Sequence, residues 1–329
     1  MGWKNGRVST PRSASRLLTT STGTWASASS TESIQKTLLA HGASGWSWIL
    51  SAFASGARNS AYQLAIWRFF STKPGSRFTC ATPTAESFRG EYLSHPSRVG
   101  KYLVFETESR RAIVIHLMRL GRLSVVHAKS GGALPRNVSA RFVFDDGSEL
   151  RVIEHGTEKR ARLWLADDLD AVEELRGIGP DPMRGGLTLE AFDAAARATS
   201  RQLKSYLTDQ RAIAGIGNGL ADEILYEARL SPLQRTGNLS GEDMKELFKA
   251  VRSVLERQVA LLRESAAGSL PQKEPVEHYV VHDHKGEPCP RCGTRIAWIS
   301  YAERDTFYCP GCQTGGTALK DRRLSKLLK

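Results

Sequence analysis

From about residue 91 onward the chain alternates short apolar runs with polar breaks. Residues 100–107 (GKYLVFET), 112–118 (AIVIHLM), 123–128 (LSVVHA), 140–146 (ARFVFDD), 149–154 (ELRVIE) and 161–167 (ARLWLAD) each read as a strand. Asp146-Gly147, between two of them, is a hairpin signal because the turn needs residues that tolerate positive φ. Strands this closely spaced, with no helix between them, predict an antiparallel sandwich or barrel over residues 82–176. The loop 177–186 (GIGPDPMRGG) then acts as a linker, and the period changes to a helical one over 187–272. One helix is predicted to begin at Ser240, where Asp243 completes a capping box. Its apolar positions Met244, Leu247, Val251, Val254, Leu255, Val259 and Leu262 form a single stripe, read as core packing. A second linker precedes a compact segment, 284–316, and a basic tail, 317–329.

The first quarter of the chain departs from this pattern. Residues 1–81 contain one acid, Glu32, against nine Lys or Arg, so about +8 of the +12 net charge lies there. They are dense in Ser and Thr and hold five of the seven tryptophans, with little helical or strand period. Two readings stay open. Acid-poor, Arg- and Ser-rich composition suits an organelle transit peptide; it also suits a segment that is disordered or not a genuine product, such as a misplaced start or out-of-frame translation. The second is the one adopted, with a cytoplasmic, nucleoid-associated location. No apolar run reaches membrane-spanning length, the nearest being residues 46–53. The basic balance suggests a polyanionic partner.

Four of the five cysteines form two C-x-x-C pairs, Cys289/Cys292 and Cys309/Cys312, separated by a run long enough for one β-hairpin. That spacing predicts one tetrahedral zinc site, whose binding energy folds a segment too short to bury a core. Paired disulfides are the alternative. The hairpin carries Arg295, Arg304, Trp298, Tyr301, Phe307 and Tyr308, a mixture suited to a phosphate backbone or an opened base stack. Within the helical region, Ala214-Gly215-Ile216-Gly217-Asn218 joins two helical stretches. A Gly-rich turn entering a helix, with Asn218 as its cap and Lys204 as an added cation, can hold an anion; an ordinary turn is the plainer reading.

Strand-rich domain, GIGN helical module and terminal ribbon with Arg304-Asp305-Thr306-Phe307-Tyr308-Cys309 together resemble the formamidopyrimidine-DNA glycosylase and endonuclease VIII family, over about residues 82–329. The ending CQTGGTALKDRRLSKLLK and the stretch EHGTEKRARLWL further resemble a bacterial branch of it. The resemblance implies an α+β protein: an N-terminal antiparallel β-sandwich, a helix-two-turn-helix domain and a C-terminal zinc finger. It implies excision of oxidised bases from double-stranded DNA by a monomer that also cleaves the strand at the abasic site, after extruding the damaged nucleotide. Lys101 matches the lysine that assists β-elimination, and Arg304 the finger arginine implicated in δ-elimination. Lys204 and Asn218 match phosphate-holding positions, and Gly217 is a further candidate for DNA binding. Met118 or Arg119 matches the side chain inserted into the gap left by the base. Arg160, in Glu158-Lys159-Arg160, stands where the family has an Arg and Phe pair facing the opposite base. His116 reads as a strand residue with a satisfied ring.

The family begins Met-Pro-Glu, the proline amine attacking the sugar, whereas this chain begins Met1-Gly2-Trp3 and has no Pro-Glu pair before Pro83. The expectation is therefore a family member impaired in chemistry, with a non-catalytic damaged-DNA binder as the alternative. A zinc-ribbon protein of transcription or translation is a third reading, but it would not need the GIGN module.

Overall fold

The computed structural model describes residues 62–69, 78–79, 85–94, 96–126, 134–155, 159–266, 270–301 and 304–320. Two five-stranded sheets come first. One runs β3 (Tyr92–Leu93), β1 (Tyr62–Phe69), β8 (Val138–Phe144), β9 (Glu149–Glu154), β7 (Gly121–Val126). The other runs β2 (Phe78–Thr79), β10 (Arg162–Ala166), β6 (Ala112–His116), β5 (Tyr102–Glu106), β4 (Ser97–Val99). Every pairing is antiparallel except β2 with β10. The facing sides bury Leu103, Phe105, Ile113, Ile115, Phe142 and Val152 in one core. All six strands expected from the apolar runs are present. The sheet also reaches back past residue 82 into β1, which lies outside the expected sandwich boundary. YQLAIWRF is apolar at consecutive rather than alternate positions, so a period of two has little to detect. Apart from β1 and β2, residues 1–81, and with them the transit-peptide reading, lie outside the described residues, as does the tail beyond residue 320.

The Asp146-Gly147 hairpin forms as its residues require. Gly147 takes φ 75°, its N–H donates to Phe144 O at 3.0 Å, and Asp146 Oδ1 accepts from Ser148 N at 2.8 Å. On the outer face of the second sheet, short 3₁₀ turns over residues 169–175 cover Val104, Val114 and Trp164.

The helical domain comprises α1 (Leu189–Arg197), α2 (Leu203–Thr208), α3 (Asn218–Glu227) and α4 (Gly241–Ala266). The capping box at the start of α4 is closed on both sides: Ser240 Oγ accepts from Asp243 N at 3.1 Å, and Asp243 Oδ2 accepts from Ser240 N at 3.0 Å. Every residue of the predicted stripe is buried, in the core that α4 shares with α3 and α1. The ribbon follows, as hairpin β11 (Ala297–Tyr301) with β12 (Arg304–Tyr308) and the single turn α5 (Pro310–Gln313). No helix among the described residues is long and apolar enough to cross a membrane.

Candidate nucleic-acid interface and metal centre

Each C-x-x-C pair folds into a knuckle because a backbone N–H turns back on the first cysteine. Gly293 N donates to Cys289 O at 2.8 Å, and Gln313 N to Cys309 O at 3.0 Å. Gly311 is required at its position, since a Cβ there would stand 2.5 Å from Thr294 Oγ1 and 3.0 Å from Cys292 Sγ. The four Sγ atoms lie within 4.8 Å of one another, with Cys289–Cys312 at 3.9 Å and Cys292–Cys309 and Cys292–Cys312 at 3.4 Å. A tetrahedron of thiolates at the usual Zn–S distance of about 2.3 Å has edges of about 3.8 Å. These separations fit zinc, and they are far longer than the roughly 2.05 Å of a disulfide. Cys289 and Cys309 are buried and Cys292 is exposed. The thiol of Cys292 is held down to about 6, first by hydrogen bonds from Thr294, while burial pushes Cys309 up.

The ribbon docks on α3 through buried polar groups. Lys204, 8% exposed, donates from Nζ to Asp305 O at 2.7 Å and pairs with Asp222 Oδ1 at 2.6 Å. Asn218 donates from Nδ2 to the same carbonyl at 2.8 Å. Asp222, fully buried, meets His282 Nδ1 at 2.8 Å and accepts from Phe307 N at 3.2 Å. Its neighbour Glu223 accepts from Val280 N, Val281 N and His282 N at 2.8–3.0 Å. Burial nonetheless pushes the Glu223 carboxyl up, against the pull of those N–H groups. The structure adds to one expectation and corrects another. Lys204 is not a free cation but one arm of a buried ion pair, because the Asp222 carboxylate, cut off from water, needs a counter-charge. Asn218 is the first helical residue rather than the cap: Gly217 takes that place in extended conformation, with no side-chain cap.

The GIGN turn is framed by Gln210, which sequence reasoning missed. Its Oε1 accepts from Gly215 N at 2.7 Å and its Nε2 donates to Ile216 O at 3.0 Å, with Gly215 at φ 89°. The turn abuts the sandwich. A Cβ on Gly100 would lie 3.4 Å from Ile178 and 3.5 Å from Ala214, so Lys101, the next residue, stands beside the turn. Arg98, wholly buried, pairs with Asp181 of the linker, and Ala214 N donates to Pro180 O at 3.0 Å.

On the rim of the sandwich, Met118 adopts φ 55°, Arg119 is exposed, and Leu120 is 39% exposed. His116 Nδ1 accepts from Met118 N at 3.0 Å, fixing that loop. Burial, then the charges of Lys101 and Arg162, lower His116 to about 4, so the ring stays neutral and satisfied as expected. Arg160 is exposed in the adjoining loop, joined to the first by His155 N donating to Leu120 O at 3.1 Å. The carboxylate of Glu154, buried, anchors this second loop by accepting from Arg160 N at 2.6 Å and Ala161 N at 2.7 Å. Met118, Arg119 and Arg160 therefore share one rim, whereas Lys204, Gly217 and Asn218 share the helix–ribbon seam, with Lys101 between sandwich and turn. Arg304 opens β12 opposite Tyr301, one residue before Asp305; the placement of its side chain lies outside the described part of the structure.

A β-sandwich, a helical module with a glycine turn, and a four-thiolate ribbon docked on that module define a zinc-finger DNA-binding protein. Family models match in the same order: the formamidopyrimidine-DNA glycosylase N-terminal domain over 64–156, its H2TH domain over 178–268, and the zinc finger found in FPG and IleRS over 286–315. The chain belongs to the formamidopyrimidine-DNA glycosylase family. It is 32% identical over 253 residues to the formamidopyrimidine-DNA glycosylase of Protochlamydia amoebophila, covering 71% of this chain and 87% of that one. It is 34% identical over 245 residues to the Chloroflexus aurantiacus glycosylase, covering 70% and 85%. Its fold is similar to the crystal structure of the MutM (Fpg) protein of Thermus thermophilus, with TM-score 0.65 and 26% identity over 79% of this chain and 93% of that one. It is also similar to the Lactococcus lactis enzyme non-covalently bound to DNA containing an AP site, with TM-score 0.61 and 25% identity over 70% and 84%.

Proposed function

We propose that one copy of this chain grips double-stranded DNA at oxidised or abasic nucleotides and serves base-excision repair. The observation that supports this best is the seam itself: Asn218 of the helical module and the strand that begins with Arg304 meet at the carbonyl of Asp305, beside the turn that abuts Lys101. A phosphate held at that helix start would meet backbone N–H groups beside the ribbon.

The chemistry proposed is that of a DNA glycosylase with abasic-site lyase activity, on which one sequence fact bears. No Pro-Glu pair occurs in the 329 residues, so the amine that attacks the sugar in the family is not among them at its usual motif. Lys101 is the motif-matched amine at the junction, and a protonated lysine must first lose a proton before it can act as a nucleophile. This favours a second reading, a damaged-DNA binder without chemistry. Borohydride trapping on abasic duplex separates the two. The expected result is tight binding with little trapping; robust trapping establishes the lyase, and its loss in Lys101→Ala would assign the amine. Binding no tighter to abasic than to intact duplex would overturn both readings.

A further inference from the structure

Helix α3 carries Asn218, Asp222 and Tyr226 at intervals of four residues, hence on one face, and each reaches into the ribbon. Asn218 holds Asp305 O and Asp222 holds Phe307 N, which secures β12. Tyr226 does something different. Its ring is 3% exposed and its hydroxyl lies 3.4 Å from Cys289 Sγ, itself 2% exposed. A metal-bound thiolate has no proton to give, so the phenol is the donor.

The ring is held in that direction by the knuckle it serves. Arg291, between the first two cysteines, places its guanidinium 4.2 Å from the ring centroid and donates from Nη1 to Tyr226 O at 2.9 Å. Its Nη2 pairs with Glu227 at 3.5 Å. A cation over the ring draws electron density from the phenol and strengthens its O–H as a donor. Helix and knuckle thus hold each other: the arginine orients the tyrosine, and the tyrosine reaches the sulfur.

We propose that Tyr226 is a positioning residue of the metal centre, whose hydroxyl donates to the Cys289 thiolate and so holds the metal against release and the sulfur against oxidants. Four thiolates around one divalent ion carry surplus negative charge, and a buried sulfur cannot spread it into water. A donor aimed at that sulfur takes up part of the charge, as other partners of metal ligands do. A phenylalanine would fill the same space, so packing alone leaves the hydroxyl unexplained.

The test uses the full chain loaded with one zinc, as wild type and as Tyr226→Phe, and follows zinc release to a colorimetric chelator with and without hydrogen peroxide. Release about tenfold faster is expected, the lower end of what partners of metal ligands contribute, with an unchanged circular dichroism spectrum. In cobalt-substituted protein the thiolate-to-metal charge-transfer band should move to lower energy. Release within about twofold of wild type, or a superimposable cobalt band, would overturn the assignment. If Tyr226→Phe does not fold, Arg291→Met frees the ring while keeping the hydroxyl. It should speed release several-fold, and a wild-type rate there would overturn the proposal equally.

Discussion

Lys204 illustrates how a residue's role changes when its surroundings are known. From the sequence it is a cation beside a glycine turn; in the structure it neutralises Asp222, which is fully buried. Lys204→Met is therefore expected to destabilise the protein by about 3 kcal/mol, because it removes the lysine partner of a buried carboxylate. Urea melts check this, and a melt like that of wild type would return Lys204 to a purely DNA-facing role. His116 makes a second prediction. With burial, Lys101 and Arg162 lowering it to about 4, the unfolded chain takes up this proton first as pH falls below about 6.5. The stability it contributes is fully present above that pH and is lost progressively towards about 4, amounting to at most about 3 kcal/mol. His116→Gln should flatten that part of the stability–pH profile, measured by urea melts across it. At this scale the sequence showed ligands better than partners. The cysteines announce themselves by local spacing, whereas Asp222 meets His282 across 60 residues, a relation that no short window contains.

Elements were more legible than residues. Strands with runs of Val, Ile and Phe, and a helix with a closed capping box and a continuous stripe, carry their signals within a dozen positions. Ser240→Ala should cost about 1 kcal/mol by opening that box, with the loss seen in thermal melts while the buried stripe stays packed. β1 escaped notice because its apolar residues do not alternate and its neighbourhood is compositionally biased. Helix α3 hid its meaning differently. Its carboxylates Asp222 and Glu223 are buried and, with Asn218, form a docking edge for the ribbon. Asn218, Asp222 and Tyr226 at a spacing of four, in a helix whose other residues are apolar except Glu223 and Glu227, were the available signal.

For the whole molecule, metal and DNA binding are expected to be linked. The ribbon's own core is small, built on Val281, Ile296 and Phe307 beside Tyr226 and two of the cysteines. Stripping the zinc should unfold it and weaken binding to abasic duplex, with metal content and affinity measured on the same sample. Arg304→Ala should lower the slope of log affinity against log salt by about 1 if its side chain neutralises one phosphate; an unchanged slope would remove it from the interface. The buried carboxylates of α3 have one more consequence. The amides of Val280, Val281, His282 and Phe307 are capped not by their own chain neighbours but by Glu223 and Asp222. In native-state hydrogen exchange these amides should become labile together with the core of α3, in one cooperative opening, so that finger and helix fray as a single foldon and are lost at a single denaturant midpoint.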